Sequence, residues 1–151
     1  MHADLAVLDT PAALRAEAAT LQRWIAESLV EGRRTSSTAA TVLARVEGAL
    51  AERETLVLVA RAGAELLGVL IALPHVEPLT GEHAPEICVL HVHPNYRHRG
   101  LARALVADAV RRFTAAGAPR VLARANHNDD ARISMGERWG FIRTSEIMER
   151  S

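Results

Sequence analysis

At 151 residues and 49% apolar composition, the chain is long enough for one sizeable core and too short for two comfortable domains, so a single domain over 1–151 is expected. Eighteen basic residues balance eighteen acidic ones, and a formal charge of zero argues against an extended nucleic-acid surface or an anionic membrane as partner. The one cysteine, Cys88, cannot close an internal disulfide. With no signal-peptide pattern and no apolar run of membrane-spanning length, a cytoplasmic protein is expected.

Asp4 to Asp9 is a short first strand. Thr10-Pro11 starts a helix, and Leu14, Ala18, Leu21, Ile25 and Leu29 keep its spacing to Gly32. A basic turn, Gly32-Arg33-Arg34-Thr35, leads into a Ser36-Ser37-Thr38 capping cluster and a second helix carrying Val42, Val46 and Leu50 on one face. Thr55–Arg61 and Leu66–Leu73 are apolar runs around Ala62-Gly63-Ala64-Glu65, a hairpin signal. Pro74 to Pro85 reads as an exposed loop, rich in Pro, Gly and His. Glu86 to Val92 is a strand stopped by Pro94, and a helix follows to Ala116, with Gly117 as C-cap and Pro119 beyond. Arg120–Ala125 is a strand, Asp130–Trp139 a short helix, and Phe141–Met148 a last strand. This order predicts an α+β fold, an α/β three-layer sandwich on a partly antiparallel, partly parallel sheet. Ligands in such sheets sit where parallel strands part, here between Glu86–Val92 and Arg120–Ala125.

The passage from the Glu86–Val92 strand into the following helix carries most information. Leu101, Leu105, Ala109 and Phe113 form one apolar stripe, with Val106 and Val110 beside it and Arg103, Asp108, Arg111 and Arg112 assigned to the outward side. A strand turning through Gly100 into a helix presents free backbone N–H groups, the helix dipole adds partial positive charge, and Arg97 and Arg99 add full charges. That is an anion site suited to phosphate. No Lys-Ser/Thr follows a glycine and no second glycine is present, so the nucleotide-hydrolysing P-loop and the dinucleotide fingerprint are both excluded.

Val92-His93-Pro94-Asn95-Tyr96-Arg97-x-x-Gly100-x-Ala102, with the strand before it and the helix after it, resembles the signature of the GNAT superfamily of acyl-CoA-dependent N-acyltransferases. The resemblance covers Glu86 to Phe141 and extends to the first half only through element order. It implies a GNAT-like fold, acetyl-CoA as co-substrate, a small-molecule or peptide amine as acceptor, no metal, and relatives among which homodimers are common. It further implies that backbone amides from His98 through Gly100, Leu101 and Ala102 to Arg103 hold the pyrophosphate, with Arg97 or Arg99 adding charge. Leu90 and Val92 would offer backbone groups to pantetheine amides, and Asn126 a polar side chain; a loop asparagine closing a turn is the alternative for Asn126.

Glutamate-using members place the general base where Glu86 stands. By strand alternation Glu86 should share a face with Cys88, Leu90 and Val92, and apolar walls could raise its pKa toward base duty; a solvated strand-edge glutamate is the alternative. Many members end Tyr-Glu-x-x-Gly-Phe, the tyrosine protonating the leaving thiolate. Gly136 stands in its place here, before Glu137-Arg138-Trp139-Gly140-Phe141, so no tyrosine acid carries over, and Ser134 or water is left to substitute. Gly136 either packs closely or leaves room for a larger acyl group. His91-x-His93 lacks the further ligands of a zinc site. Cys88 reads as a buried structural thiol rather than a nucleophile. A non-catalytic acyl-CoA-binding module is the alternative function, kept open by the missing tyrosine, and an unrelated phosphate-binding regulator a further one.

Overall fold

The computed structural model describes residues 2–31 and 37–150; the basic Gly32–Thr35 turn and Ser36 lie outside them. Its elements run β1 (Asp4–Val7), α1 (Pro11–Ala16), α2 (Ala18–Glu31), α3 (Ala39–Ala49), β2 (Leu56–Ala62), β3 (Glu65–Val76) and β4 (His83–Val92). A 3-10 turn (Pro94–Tyr96), α4 (Leu101–Ala115), β5 (Leu122–Ala123) and α5 (Asp130–Arg138) follow. The sheet order is β1-β2-β3-β4-β5. The first three junctions are antiparallel and β4–β5 is parallel, the mixed sheet that the element order predicts.

Two apolar layers flank this sheet. On one face Leu14, Leu21, Trp24, Ile25, Leu43 and Val46 of α1–α3 pack against Val57, Val59, Val69, Ile71 and Val89. On the other, Leu101, Leu105, Val106, Ala109 and Phe113 of α4 cover Leu58, Leu67, Leu70, Ile87 and Val92. Central strands buried on both faces need continuous apolar runs, which is why Leu56–Ala60 and Leu66–Ala72 hardly alternate. The caps fall where the sequence puts them. Thr10 and Thr38 accept from the N–H groups of Ala13 and Thr41, each at 3.1 Å. Gly117, at φ 91°, closes α4 with the N–H of Ala118 on the Phe113 carbonyl at 3.0 Å.

Several sequence expectations are corrected. The first helix is two, broken at Glu17, whose carboxylate is drawn to Arg61 of β2 at 2.8 Å; the bend lets α2 lie along the sheet. Half of the Pro74–Pro85 loop is strand: β3 and β4 pair out to Val76 and His83. Pro74 faces Pro85, and since neither has an N–H to donate, the pair occupies a position that needs none. Asp108 is buried, not outward, because Arg111 and Arg112 fold over it, the latter at 2.6 Å. The strand after Pro119 shrinks to Leu122–Ala123. Phe141–Met148 pairs with no strand among the described residues, for β5 offers only a two-residue edge, and Ile142, Ile147 and Met148 stand exposed.

Gly68 lies where β3 bulges against β2 and meets β4 closely: a Cβ there would sit 2.9 Å from the His91 carbonyl oxygen. Backbone in a buried ladder cannot yield as a side-chain tip can. Gly68→Ala is therefore expected to destabilise the fold by about 1–3 kcal/mol, seen as a lower urea midpoint at unchanged m-value.

Candidate active site

β4 is paired to β3 along its whole length but touches β5 only at Glu86↔Leu122 and Ile87↔Ala123, with one further bond from the Arg124 N–H to the Ile87 carbonyl at 3.3 Å. The His93 N–H donates to Leu67 O at 2.8 Å. By antiparallel alternation His91 also turns its backbone groups toward β3, and Leu90 and Val92 turn theirs outward, past the end of the β5 ladder. The two strands thus part beside Leu90 and Val92. Val92's carbonyl is held by Arg97 Nε at 2.9 Å, which pins the strand end to the turn that follows.

That turn leads into a crook at the start of α4. His98 (φ 63°) and Gly100 (φ 81°) both lie in the left-handed region, and Gly100 is the N-cap with no side chain over it. The first intrahelical bond runs from the Ala104 N–H to the Gly100 carbonyl at 3.0 Å, so the N–H groups of Leu101, Ala102 and Arg103 have no partner within the helix. The space a Gly100 side chain would enter is open, with nothing within 4 Å. Backbone turned this way at a helix start makes an anion-binding concavity. Arg99 lies 5.7 Å over the Tyr96 ring, whose hydroxyl hydrogen-bonds Glu65 at 3.3 Å, so Tyr96 packs and braces the turn. Leu101's side chain is buried in the core, leaving only its N–H to face a ligand.

At the other end of the gap stands Glu86, and here alternation misleads. The register shifts between Ile71 and Ala72, leaving Cys88 as an extra, bulged residue on β4. Cys88 Sγ lies 3.6 Å from Glu86 Oε2, so those two share a side as expected. Beyond the bulge the phase flips: Val89 packs with the α1–α3 layer, and His91 stacks on Trp24 of α2 at 4.9 Å. Leu90 and Val92 face α4 instead, so they do not share Glu86's face. The side chain of Glu86 is only 12% exposed and is gripped by Arg124 of β5, Nε to Oε2 at 3.1 Å and Nη2 to Oε1 at 3.2 Å. His75 Nδ1 of β3 adds a contact to Oε1 at 3.2 Å. Burial would push the carboxyl pKa up, but the Arg124 hydrogen bonds and charge, with Cys88 and His75, outweigh it and leave the pKa lowered. The expected upward shift is thus corrected: Glu86 is a firmly ionised carboxylate.

Cys88 is surface-exposed, not buried, and partial desolvation together with Glu86's charge pushes its thiol up to about 11. It therefore stays a thiol at neutral pH, a poor nucleophile. His91 and His93 are engaged separately: His91 lies 3.5 Å from Glu27, while His93 Nδ1 accepts from the Asn95 N–H at 3.1 Å. Asn126 lies past β5 in the turn before α5, its carbonyl accepting from the Asp129 N–H at 3.0 Å. Ser134 is exposed on α5. Gly136 is not there for close packing, since an added Cβ would meet only Phe141 Cβ at 3.9 Å, an ordinary contact. Arg124 and His75 escaped the sequence reading, Arg124 as one more strand residue and His75 as part of a presumed loop. Their signal was position: each lies two residues along from Glu86's own partner, Leu73 on β3 and Leu122 on β5, a diagonal within reach of long side chains.

A five-stranded mixed sheet between helical layers, parting over a helix start, is the architecture of N-acetyltransferases. The aminoglycoside acetyltransferase AAC(6')-Iy, solved with the bisubstrate analogue CoA-S-monomethyl-acetylneamine, superposes over 100% of this chain and 98% of its own, at a TM-score of 0.76 and 18% identity. A ribosomal-protein-alanine N-acetyltransferase from Brucella melitensis biovar Abortus 2308 does so over 99% and 100%, at a TM-score of 0.69 and 21% identity. The model of the acetyltransferase (GNAT) family matches residues 18–141, and the chain belongs to that family. An acetyltransferase of Sodalis glossinidius (strain morsitans) is 34% identical over 59 residues, 39% of this chain and 42% of that protein. One from Yersinia pestis (strain Pestoides F) is 33% identical over 66 residues, 44% and 47%. The matches thus span less than half the length of these curated relatives.

Two measurements follow from this geometry. Because Glu86's pKa is lowered in the fold, its ion pair contributes stability above the unfolded value and loses it as pH falls through the folded one. The stability difference between wild type and Glu86→Gln should stay level from neutrality to about pH 5 and close below about pH 4, around and under the ordinary glutamate value. Gly136→Ala, with room for its methyl and a helical setting, should raise stability by about 0.5–1 kcal/mol, read as a higher Tm.

Proposed function

We propose that this chain, acting as one cytoplasmic domain, is an N-acetyltransferase that moves an acetyl group from acetyl-CoA to a primary amine, on a small molecule or a peptide. The observation that carries the reading is the gap between β4 and β5, lined by the outward backbone groups of Leu90 and Val92 and ending on the open crook of α4. The residues present fit the co-substrate. A diphosphate matches the N–H groups from His98 to Arg103, those of Leu101, Ala102 and Arg103 lacking a partner within the helix, with Arg99 beside them. An extended amide-bearing arm matches the strand edge at Leu90 and Val92, with Asn126 at the far bank. Arg97 holds the strand end in place. Glu86, six residues back along β4 from Val92, is the carboxylate that drives loss of the amine's proton.

Acyl transfer from a thioester needs a proton taken from the amine, a polarised carbonyl and a leaving thiolate. General acid catalysis contributes about 10²–10⁴ in rate, and Gly136 supplies none. A thiolate leaves unprotonated far more readily than an alkoxide, since thiols ionise near pH 8.5. Loss of a tyrosine acid therefore slows this reaction without forbidding it. The structural neighbours act, by name, on aminoglycosides and on a ribosomal protein's alanine, acceptors that share only an amine. A second reading, a module that binds acyl-CoA without turning it over, is favoured by Gly136 and by the ion-paired state of Glu86.

Saturating CoA, at about 100 times its dissociation constant, should stabilise the protein by roughly 2.7 kcal/mol in thermal melts, and ATP or NAD should not. Acetyl-CoA incubated with an amine panel (an aminoglycoside, a polyamine, free alanine and an alanine-initiated peptide) should release free thiol. Glu86→Gln should lower that release by about 10²-fold or more. Stabilisation without release from any amine supports the non-catalytic module instead.

A further inference from the structure

The carboxylate assigned to the amine's proton is already held on both oxygens by Arg124. A carboxylate has about four lone-pair positions. On Glu86, Oε1 is met by Arg124 Nη2 at 3.2 Å and by His75 Nδ1 at 3.2 Å, and Oε2 by Arg124 Nε at 3.1 Å and Cys88 Sγ at 3.6 Å. Both oxygens thus carry an arginine hydrogen bond, which makes the carboxylate a weak acceptor for the amine's proton. His75 differs from the other donors in having a second functional edge. An ionised carboxylate only accepts hydrogen bonds, so its closeness to Nδ1 favours the tautomer with the hydrogen on Nδ1 and the lone pair of the neutral ring on Nε2. The imidazole is 29% exposed against 12% for the carboxylate, so it is the more accessible member of the pair.

We infer that His75 is the catalytic base of the acyl transfer, with Glu86 as the carboxylate that fixes its tautomer and Arg124 as the residue that positions Glu86. This rests on the transferase reading above. The arrangement is nucleophile, imidazole and orienting carboxylate, the logic of a triad with the amine as nucleophile. An imidazole ionises near neutrality, where a general base is most effective, whereas an arginine-paired carboxylate does not. The groups facing the pair are Arg124 from β5 and Cys88 from β4, and Glu86 remains charged throughout the working range because Arg124 holds its pKa down. In the step itself the amine nitrogen bonds the thioester carbonyl carbon, and its surplus proton passes to His75 Nε2. The C–S bond then breaks with its electron pair on sulfur, and the imidazolium, held against Glu86, returns its proton to solvent or to the thiolate.

Two measurements on the full-length protein test this. Nitrogen-15 NMR of the histidine rings, without any ligand, should show His75 protonated at Nδ1 and unprotonated at Nε2 near pH 8. A ring protonated at Nε2 instead would overturn the assignment. With whichever amine of the panel wild type uses best, His75→Gln should lower kcat by about 10²–10⁴-fold and remove the acid limb of the kcat/KM profile, while thermal stabilisation by CoA is retained. His75→Gln that keeps kcat within threefold and keeps the acid limb would overturn the role of His75 and leave Glu86 as base. CoA binding by wild type with no thiol release from any amine would overturn the transferase reading itself, and this role with it.

Discussion

Every backbone N–H and C=O that leaves water needs a partner, and β4 meets that requirement unequally on its two edges. Toward β3 the ladder runs from Val76↔His83 to Gly68↔Val92, set at one end by facing prolines and at the other by a glycine in close contact. Toward β5 it stops after two residues. The apolar layer of α4 buries the strand beneath that edge. An extended partner with hydrogen-bonding groups at peptide-like spacing would complete that edge. The helix that buries the strand also begins at the mouth of the gap, so one stretch of chain, Glu86 to Leu105, sets the wall, the mouth and the charge of the site.

The bulge at Cys88 decides which residues can act together. Without it, Glu86 would look across the same face as Leu90 and Val92, and the polar cluster would point at α4's apolar layer. The extra residue turns Glu86 toward the side where β3 ends in His75 and β5 ends in Arg124, while the strand beyond keeps its outward backbone groups in the gap. A half-buried carboxylate needs compensation, and Arg124 supplies it bidentately. The consequence is a charge that is fixed rather than poised.

Much of this was legible from residues alone. Thr10, Thr38 and Gly117 marked real helix ends, the stripe of Leu101, Leu105, Ala109 and Phe113 marked a real core face, and Val92 to Ala102 marked the crook. The failures have a common cause: local pattern does not encode pairing. Pro74 and Pro85 read as loop because nothing local shows that each sits opposite the other, where no donor is needed. Asp108 reads as solvent-facing because a helical wheel cannot show two arginines folding over it. Period-two alternation puts Leu90 and Val92 wrongly on Glu86's face because a bulge is a property of two strands, and the sequence of one shows no trace of it. Phe141–Met148 has the composition of a strand, but β5 gives it almost no edge to join.

The braces around the crook have a thermodynamic side. Arg97 ties it to the Val92 carbonyl, and Tyr96 ties it to Glu65 at the root of β3, with Arg99 laid over the ring. A loop already held at three points surrenders little disorder when a guest arrives. Its association should therefore be governed by charge and desolvation, sensitive to salt and nearly indifferent to the stiffness of the chain.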